Sequence, residues 1–325
     1  MTAAPANATA EVAVVGSLNL DLTARVRRHP LPGQTVPAST LTPNPGGKGA
    51  NQAVAAARLG ARTALIGRVG TDPHADTLLY SLRSNGVDTT RITHDGNAVT
   101  GTALVTVADS GENTITVAAG ANAHLNADHV DAARSVLESA GVVSLVMEIP
   151  LDTVVAAAHA AADSARIMLN LSPVADIPTD VLALADPLIV NEHEAHEILR
   201  NHHLTAEPGV DQASALCRLG VRSAVVTLGA RGAALADADL VEHVPGLPVD
   251  VVDTTGAGDA FAATLAWRLS QGDALPAAVG WAIRVSAHSV GRTGAQTSYP
   301  TLNELTEPAG RGSAPHVHRS EASQV

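Results

Sequence analysis

Val249-Asp250-Val251-Val252 leads into Asp253-Thr254-Thr255-Gly256-Ala257-Gly258-Asp259, and a segment carrying Phe261, Leu265 and Trp267 follows. An apolar run, a glycine turn and then a helix place backbone N–H groups at a helix N-terminus, an anion site suited to a phosphate in transit. Asp259 falls in the first helical turn. A carboxylate there either complements the helix dipole or serves as a general base beside the phosphate cradle. The segment lacks the third glycine of a dinucleotide fingerprint and the Gly-Lys-Ser/Thr ending of a P-loop.

Outward from this turn, short β-branched runs alternate with Ala-rich amphipathic segments, as when parallel buried strands are joined by crossover helices. Strands are expected at Val12 to Val15, Thr63 to Ile66, Val142 to Met147, Ile167 to Leu169, Leu188 to Val190 and Ser223 to Thr227. Helices are expected at Ala50 to Leu59, Pro73 to Ser84, Asp128 to Ser139, Asp152 to Ala162, Glu192 to Leu199, Gly256 to Leu269 and Leu275 to Val290. The fold class is therefore α/β: one three-layer domain over about residues 11 to 305, with a mostly parallel central sheet. Leu18 to Asn44 and Thr100 to Ala118 break the alternation, with Thr, Val and Ile repeating in the second and no helix between. They read as antiparallel strands of a small β-sheet lid built from about residues 19 to 45 and 98 to 119. Residues 1 to 10 and 308 to 325 lack periodicity and are expected to be disordered tails.

Of 325 residues, 46% are hydrophobic and 16% charged, enough apolar material for a core. Lys and Arg number 20 against 32 Asp and Glu, a formal net charge of −12 that repels nucleic acid. No stretch approaches a membrane span. A single cysteine, Cys217, and no signal-peptide pattern lead to a cytoplasmic expectation. Cys217 sits in a helical pattern and reads as a buried thiol. His193 and His196 are spaced i, i+3 rather than the i, i+4 of a zinc-protease helix, which disfavours a metal centre there.

Gly46-Gly47-Lys48-Gly49-Ala50-Asn51 also precedes a helix. Val14-Val15-Gly16-Ser17-Leu18-Asn19-Leu20-Asp21 puts Asn19 and Asp21 just past the first strand, where open α/β sheets bind ligands. Alternation turns both side chains to one face, and an amide beside a carboxylate suits a polyol.

With these motifs together, the chain from about Glu11 to Pro300 resembles the ribokinase group of the PfkB carbohydrate kinase family. The glycine-rich segment from Gly46 through Gly70 and the segment from Asp253 to Asp259 carry the resemblance, with Gly101-Thr102-Ala103-Leu104, Gly111-Glu112-Asn113 and Gly120-Ala121-Asn122 in support. It implies an ATP-dependent kinase of D-ribose acting at the primary 5-hydroxyl. By the same resemblance Asn19, Asp21, Gly47, Lys48, Asn51 and Glu148 bind the sugar, Asp259 is the catalytic base, and Gly256, Ala257 and Gly258 form the anion hole. Asn191, Thr227, Gly229, Gly232, Gly256 and Gly258 contact the nucleotide. Glu194 positions magnesium (Mg2+) through water, and Asp253, Thr255, Ser289, Arg292, Gly294 and Ser298 surround a monovalent cation, potassium (K+). A homodimer joined through the lid is also implied.

Other acceptors remain open at this point: deoxyribose, fructose or another sugar, or a nucleoside such as pseudouridine. Neither lid segment contains Phe, Tyr or Trp on which a nucleobase could stack, which favours a bare sugar. A silent sugar sensor would need neither base nor magnesium, and Asp259, Asn191 and Glu194 together speak against it. Gly256 stands where some of the family carry Ala, and Arg25-Val26-Arg27-Arg28-His29 makes the first lid arm basic, either as a solvated edge or as a phosphate contact.

Overall fold

In the computed structural model, which describes residues 9–306, the alternation resolves into two sheets. In chain order the strands are β1 (Val12–Val15), β2 (Asn19–Val26), β3 (Ala38–Gly46), β4 (Thr63–Val69), β5 (Ile92–His94), β6 (Gly101–Ala108), β7 (Asn113–Ala118), β8 (Val142–Val146), β9 (Arg166–Asn170), β10 (Ala185–Asn191), β11 (Ala224–Thr227), β12 (Ala233–Ala236) and β13 (Val241–Val244). The helices are α1 (Lys48–Arg58), α2 (Pro73–Ser84), α3 (Ala127–Ala132), α4 (Arg134–Ser139), α5 (Leu151–Ala161), α6 (Thr179–Leu182), α7 (Glu192–Asn201), α8 (Val210–Cys217), α9 (Ala257–Ser270), α10 (Leu275–Val290) and α11 (Leu302–Thr306). Apart from Thr9 and Ala10, the tails expected to be disordered lie outside the described residues.

The large sheet runs β13-β12-β11-β10-β9-β8-β1-β4-β5, and every strand points the same way except β12, which pairs antiparallel with β11 and β13. Alternate residues of β1 feed opposite layers. Val12 and Val14 pack with α1, α9 and α10, whereas Ala13 and Val15 pack with α3, α5 and the helices beyond. This is the mostly parallel three-layer α/β fold expected, with the core split between the two faces of the sheet. Alanine replaces aromatic bulk in it. Ala50, Ala53 and Ala56 of α1 and Ala260, Ala263 and Ala266 of α9 are buried in one cluster, and such small side chains let the two helices approach closely.

The small sheet runs β3-β2-β6-β7. Its two hairpins are antiparallel, but β2 and β6 pair in parallel, Asn19 opposite Gly101. Both strands leave the edge of the main body in the same direction, so the sheet is mixed rather than wholly antiparallel. Asp21, Ala103 and Val117 share one of its faces, and Leu22, Leu104 and Leu41 the other.

The helix expected over Asp128 to Ser139 is broken at Ala133 into α3 and α4. Trp267 of α9 and Trp281 of α10 meet edge to face at 6.5 Å, with the Arg268 guanidinium 5.1 and 5.0 Å from their ring centres. Among the described residues no helix is long and apolar enough to cross a membrane.

Candidate active site

β1 and β8 are adjacent and parallel, so the residues leaving their C-terminal ends emerge side by side. Glu148, just past β8, is the hub. One of its oxygens accepts from the Ser17 hydroxyl at 2.6 Å, the Lys48 N–H at 3.1 Å and the Asn19 amide at 3.4 Å. Asn19 is oriented from behind, where the Asn122 amide donates to its Oδ1 at 2.8 Å while bonding both backbone groups of Leu18. Gly47 holds the turn into α1 at φ 89°, and a Cβ there would stand 2.6 Å from the Asn19 nitrogen, so only glycine fits.

Asp21 completes a cluster of three carboxylates. Burial, together with the charges of Glu148 and Asp259, pushes its pKa up to about 7. Burial alone would pull Lys48 down, yet the carboxylates of Asp259, Glu148 and Glu194 outweigh it and hold the ammonium charged. The pocket is therefore built for a ligand with several hydroxyls, at a cost to the empty protein. With its folded pKa above the unfolded value near 4, Asp21 binds its proton more tightly in the folded state, and stability falls as pH rises from about 4 to about 7. Asp21→Asn should flatten that slope and stabilise the ligand-free protein at pH 8 by on the order of 1–3 kcal/mol. Denaturant titrations at pH 5 and pH 8 check it; equal pH dependence in the two proteins would refute the assignment.

Asp259 opens α9 and is buried. Its Oδ2 accepts from the Asn51 amide at 2.9 Å and its Oδ1 from the Gln52 amide at 3.4 Å. Burial raises its pKa; Lys48 and the two amides oppose that, and Glu148 adds to it. A carboxylate with so few solvent contacts and a raised proton affinity is suited to accepting a proton from a bound hydroxyl. Asn51 is itself held, accepting from Gln296, which accepts from Ser81. Gly256 has φ 74°, its carbonyl accepts from the Tyr299 hydroxyl at 3.1 Å, and a Cβ would meet that hydroxyl at 2.4 Å. Glycine there is a steric requirement of this chain.

Beyond α9 lies a cavity of about 460 Å³. Thr227, Gly229, Gly232, Ala257 and Gly258 line it, with Leu247, Val249 and Val251 on one side and Ile283, Ala287 and Val290 of α10 on another. The aliphatic wall went unnoticed in the sequence. Val251 and Val252 are each 62% exposed outside any strand, and that apolar run is the signal that could have found it. Asn191 and Glu194 stand apart from this lining, at the start of α7. Each side chain accepts from the other's backbone N–H, at 2.9 and 2.8 Å.

Of the six residues placed around a monovalent cation, Asp253, Thr255 and Gly294 are joined directly. Asp253 accepts from the Thr255 hydroxyl at 2.7 Å, the Thr255 N–H at 2.9 Å and the Gly294 N–H at 2.8 Å. Burial pushes this carboxyl up, but those bonds and the nearby Arg25 charge hold it below its usual range. The Ser289 and Ser298 hydroxyls donate to carbonyls of Ser286 and Ala295. The Arg292 side chain turns to His288 and Glu304, and its N–H donates to the Ser289 carbonyl at 3.0 Å.

A model of the pfkB family of carbohydrate kinases matches residues 9–302. A ribokinase of Staphylococcus aureus is 34% identical over 303 residues, covering 92% of this chain and 99% of that protein. A deoxyribokinase of Salmonella typhi is 32% identical over 300 residues, covering 91% and 98%. The solved structure of Arabidopsis thaliana ribokinase complexed with ribose and ATP superposes with a TM-score of 0.83 at 29% identity, covering 92% of this chain and 98% of that one.

Proposed function

The chain belongs to the pfkB family of carbohydrate kinases, and from that premise we propose that it phosphorylates D-ribose at O5 with ATP, giving ribose 5-phosphate and ADP. The position of Asp259 carries this reading. Its carboxylate is bonded to Asn51 of the polar pocket, while Gly258, the residue before it, lines the cavity. A hydroxyl in the pocket and a phosphate in the cavity would meet at that residue.

In this reading Asn19, Asp21, Gly47, Lys48, Asn51 and Glu148 hold the sugar, and Lys48 balances the charge of the carboxylates around it. Asp259 takes the proton of the 5-hydroxyl as the new O5–P bond forms and the bond from the γ-phosphorus to the ADP oxygen breaks. The N–H groups of Gly256 and Gly258 would face the charge spreading over the transferring group, joined by that of Ala257 once it leaves the Thr254 carbonyl, to which it donates at 3.2 Å. Thr227, Gly229 and Gly232 line the nucleotide, with Asn191 near its phosphates. Magnesium, held through water by Glu194, would neutralise phosphate charge. The hard oxygen set around Asp253 and Thr255, with carbonyls near Ser289, Arg292, Gly294 and Ser298, fits potassium and would stiffen the anion loop.

We also propose that the small sheet is the lid of this one domain, over residues 19–45 and 98–119. Leu41 and Leu104 are exposed on its face opposite Asp21, which supports a homodimer through the lids. The net charge of −12 supports no nucleic-acid partner, and the single cysteine supports a cytoplasmic location.

A coupled ADP-release screen over ribose, deoxyribose, fructose, fructose 6-phosphate, adenosine and pseudouridine tests the substrate. Ribose should give the highest kcat/KM, and more so in potassium than in sodium at equal ionic strength. Adenosine or fructose 6-phosphate exceeding ribose more than about tenfold, roughly 1.4 kcal/mol of transition-state preference, would reject the assignment.

A further inference from the structure

Beneath the carboxylate of Asp259 lies a buried amide that the proposed reaction does not yet use. Gln52 follows Asn51 on α1 and is fully buried. Its Nε2 donates to Asn170 Oδ1 at 3.0 Å and to Asp259 Oδ1 at 3.4 Å, and its Oε1 accepts from the Ser144 hydroxyl at 2.8 Å. Ser144 sits mid-strand in β8 and Asn170 ends β9, so the sheet floor and α1 meet the catalytic helix through this one side chain.

The polarity of the chain is fixed from outside the site. The Asn170 amide donates to the backbone carbonyl of Ile189 in β10 at 3.3 Å, and a carbonyl can only accept. Asn170 must therefore present Oδ1 to Gln52, which must present its NH₂ group in return. Its two hydrogens are then divided between Asn170 and Asp259, and its oxygen is left to the Ser144 hydroxyl. Every polar atom of the buried amide is satisfied in this one arrangement, and no reversed rotamer satisfies them all.

We propose that Gln52, locked by Ser144 and Asn170, is a positioning residue that aims the Asp259 carboxylate at the sugar hydroxyl. The inference rests on the reading of Asp259 as general base. Asn51 grips Oδ2 from the pocket side and Gln52 grips Oδ1 from the sheet side, so the plane of the carboxylate is set by two consecutive residues of one helix. Rotation about the carboxylate bond would break one or both contacts. A base held within a small angular range loses less time in unproductive orientations.

The test must separate aim from architecture. The other charged or titratable groups facing Asp259 are Lys48 of α1, Glu148 beyond β8, Asp21 of β2 and Tyr299 near the C-terminal end. None of them is altered in Gln52→Met, which keeps length and removes the donor. We expect kcat to fall roughly 10- to 100-fold with ribose KM and calorimetric Kd within threefold. The acidic limb of the kcat profile should move to higher pH, because a donor to the ionised carboxylate is gone.

Introduced into Asp259→Asn, the same change should have no further effect on residual kcat, since it acts only through the base. A loss of equal size in that background, or a folded Gln52→Met with normal kcat, overturns the proposal. Ser144→Ala provides a second reading should Gln52→Met fail to fold. It frees the far end of the amide, and kcat should drop roughly 3- to 10-fold at constant KM; kcat within twofold and an unmoved acidic limb overturn it. Near-normal turnover by Asp259→Asn itself would instead remove the general-base reading, a distinguishable failure.

Discussion

Asp259→Asn should lower kcat by roughly 10²- to 10⁴-fold while leaving ribose affinity nearly unchanged. Asparagine keeps the size of the side chain and can hold the hydroxyl, but it cannot accept the proton. The carbonyl oxygen of the new asparagine can serve only one of the two amides that grip Asp259, so either Asn51 or Gln52 is left facing the new NH₂ group. Against that lost bond stands a gain from removing the buried charge. The folded protein holds the Asp259 proton more tightly than the unfolded chain does, so ionised Asp259 destabilises the fold above the unfolded pKa, and that penalty grows as pH rises. At pH 8 the two effects oppose each other, and the variant should melt near the parent temperature. Single-turnover kinetics, calorimetry with ribose and a melting curve at that pH check the three parts. A folded variant with near-normal turnover would eliminate the mechanism, and joint loss of binding and melting temperature would reassign the carboxylate to the architecture of α9.

Glu148→Ala should be the most damaging change to sugar binding. It strips the shared acceptor from the Ser17 hydroxyl, the Lys48 N–H and the Asn19 amide at once. Each donor then competes for the ligand oxygens or for water, and Asn19 keeps only its Asn122 contact. Losing interactions to a charged acceptor at about 1.5–3 kcal/mol each, only partly additive, predicts a fall in kcat/KM of roughly 10²- to 10³-fold. The loss should appear in KM and in the calorimetric Kd. Glu148→Gln, which keeps one acceptor oxygen in place, should recover part of it. Ribose affinity within threefold of the parent in the alanine variant would take Glu148 out of the sugar site.

The parts of this molecule that could be read in the sequence are those written in period and punctuation. β1, α2 and α10 lie at their expected bounds because their periodic runs are bounded there by Gly, Asp, Asn or Pro. The break at Ala133 was hidden, since alanine is the best helix former and gives no stop signal. β12, Ala233–Ala236, was hidden for the same reason: four residues from Ala-Ala-Leu-Ala carry no strand signature, and only pairing with β11 and β13 makes them one. The parallel pairing of β2 with β6 joins segments some eighty residues apart and follows from where they leave the body, which no local pattern encodes.

The same division runs through the site. Asp259, Asn51 and Lys48 stand in glycine-marked turns and could be singled out. Ser144 and Asn170 sit within strands like any small polar residue, and only the tertiary fold brings them to Gln52.

The tryptophan pair has a spectroscopic consequence. Trp267 and Trp281 are the only two indoles in the chain, and they are packed against each other across the α9–α10 hairpin. All intrinsic tryptophan emission therefore originates from one spot in the main body, beside the guanidinium of Arg268. The small sheet carries no Phe, Tyr or Trp, and the closure over a sugar that its proposed role as a lid implies would be optically dark. A single indole placed at Leu104 or Ile115, both exposed on that sheet, would add a signal belonging to the lid alone. Quenching of that signal on adding ribose, with the native pair as reference, would then test the proposed closure separately from events around α9 and α10.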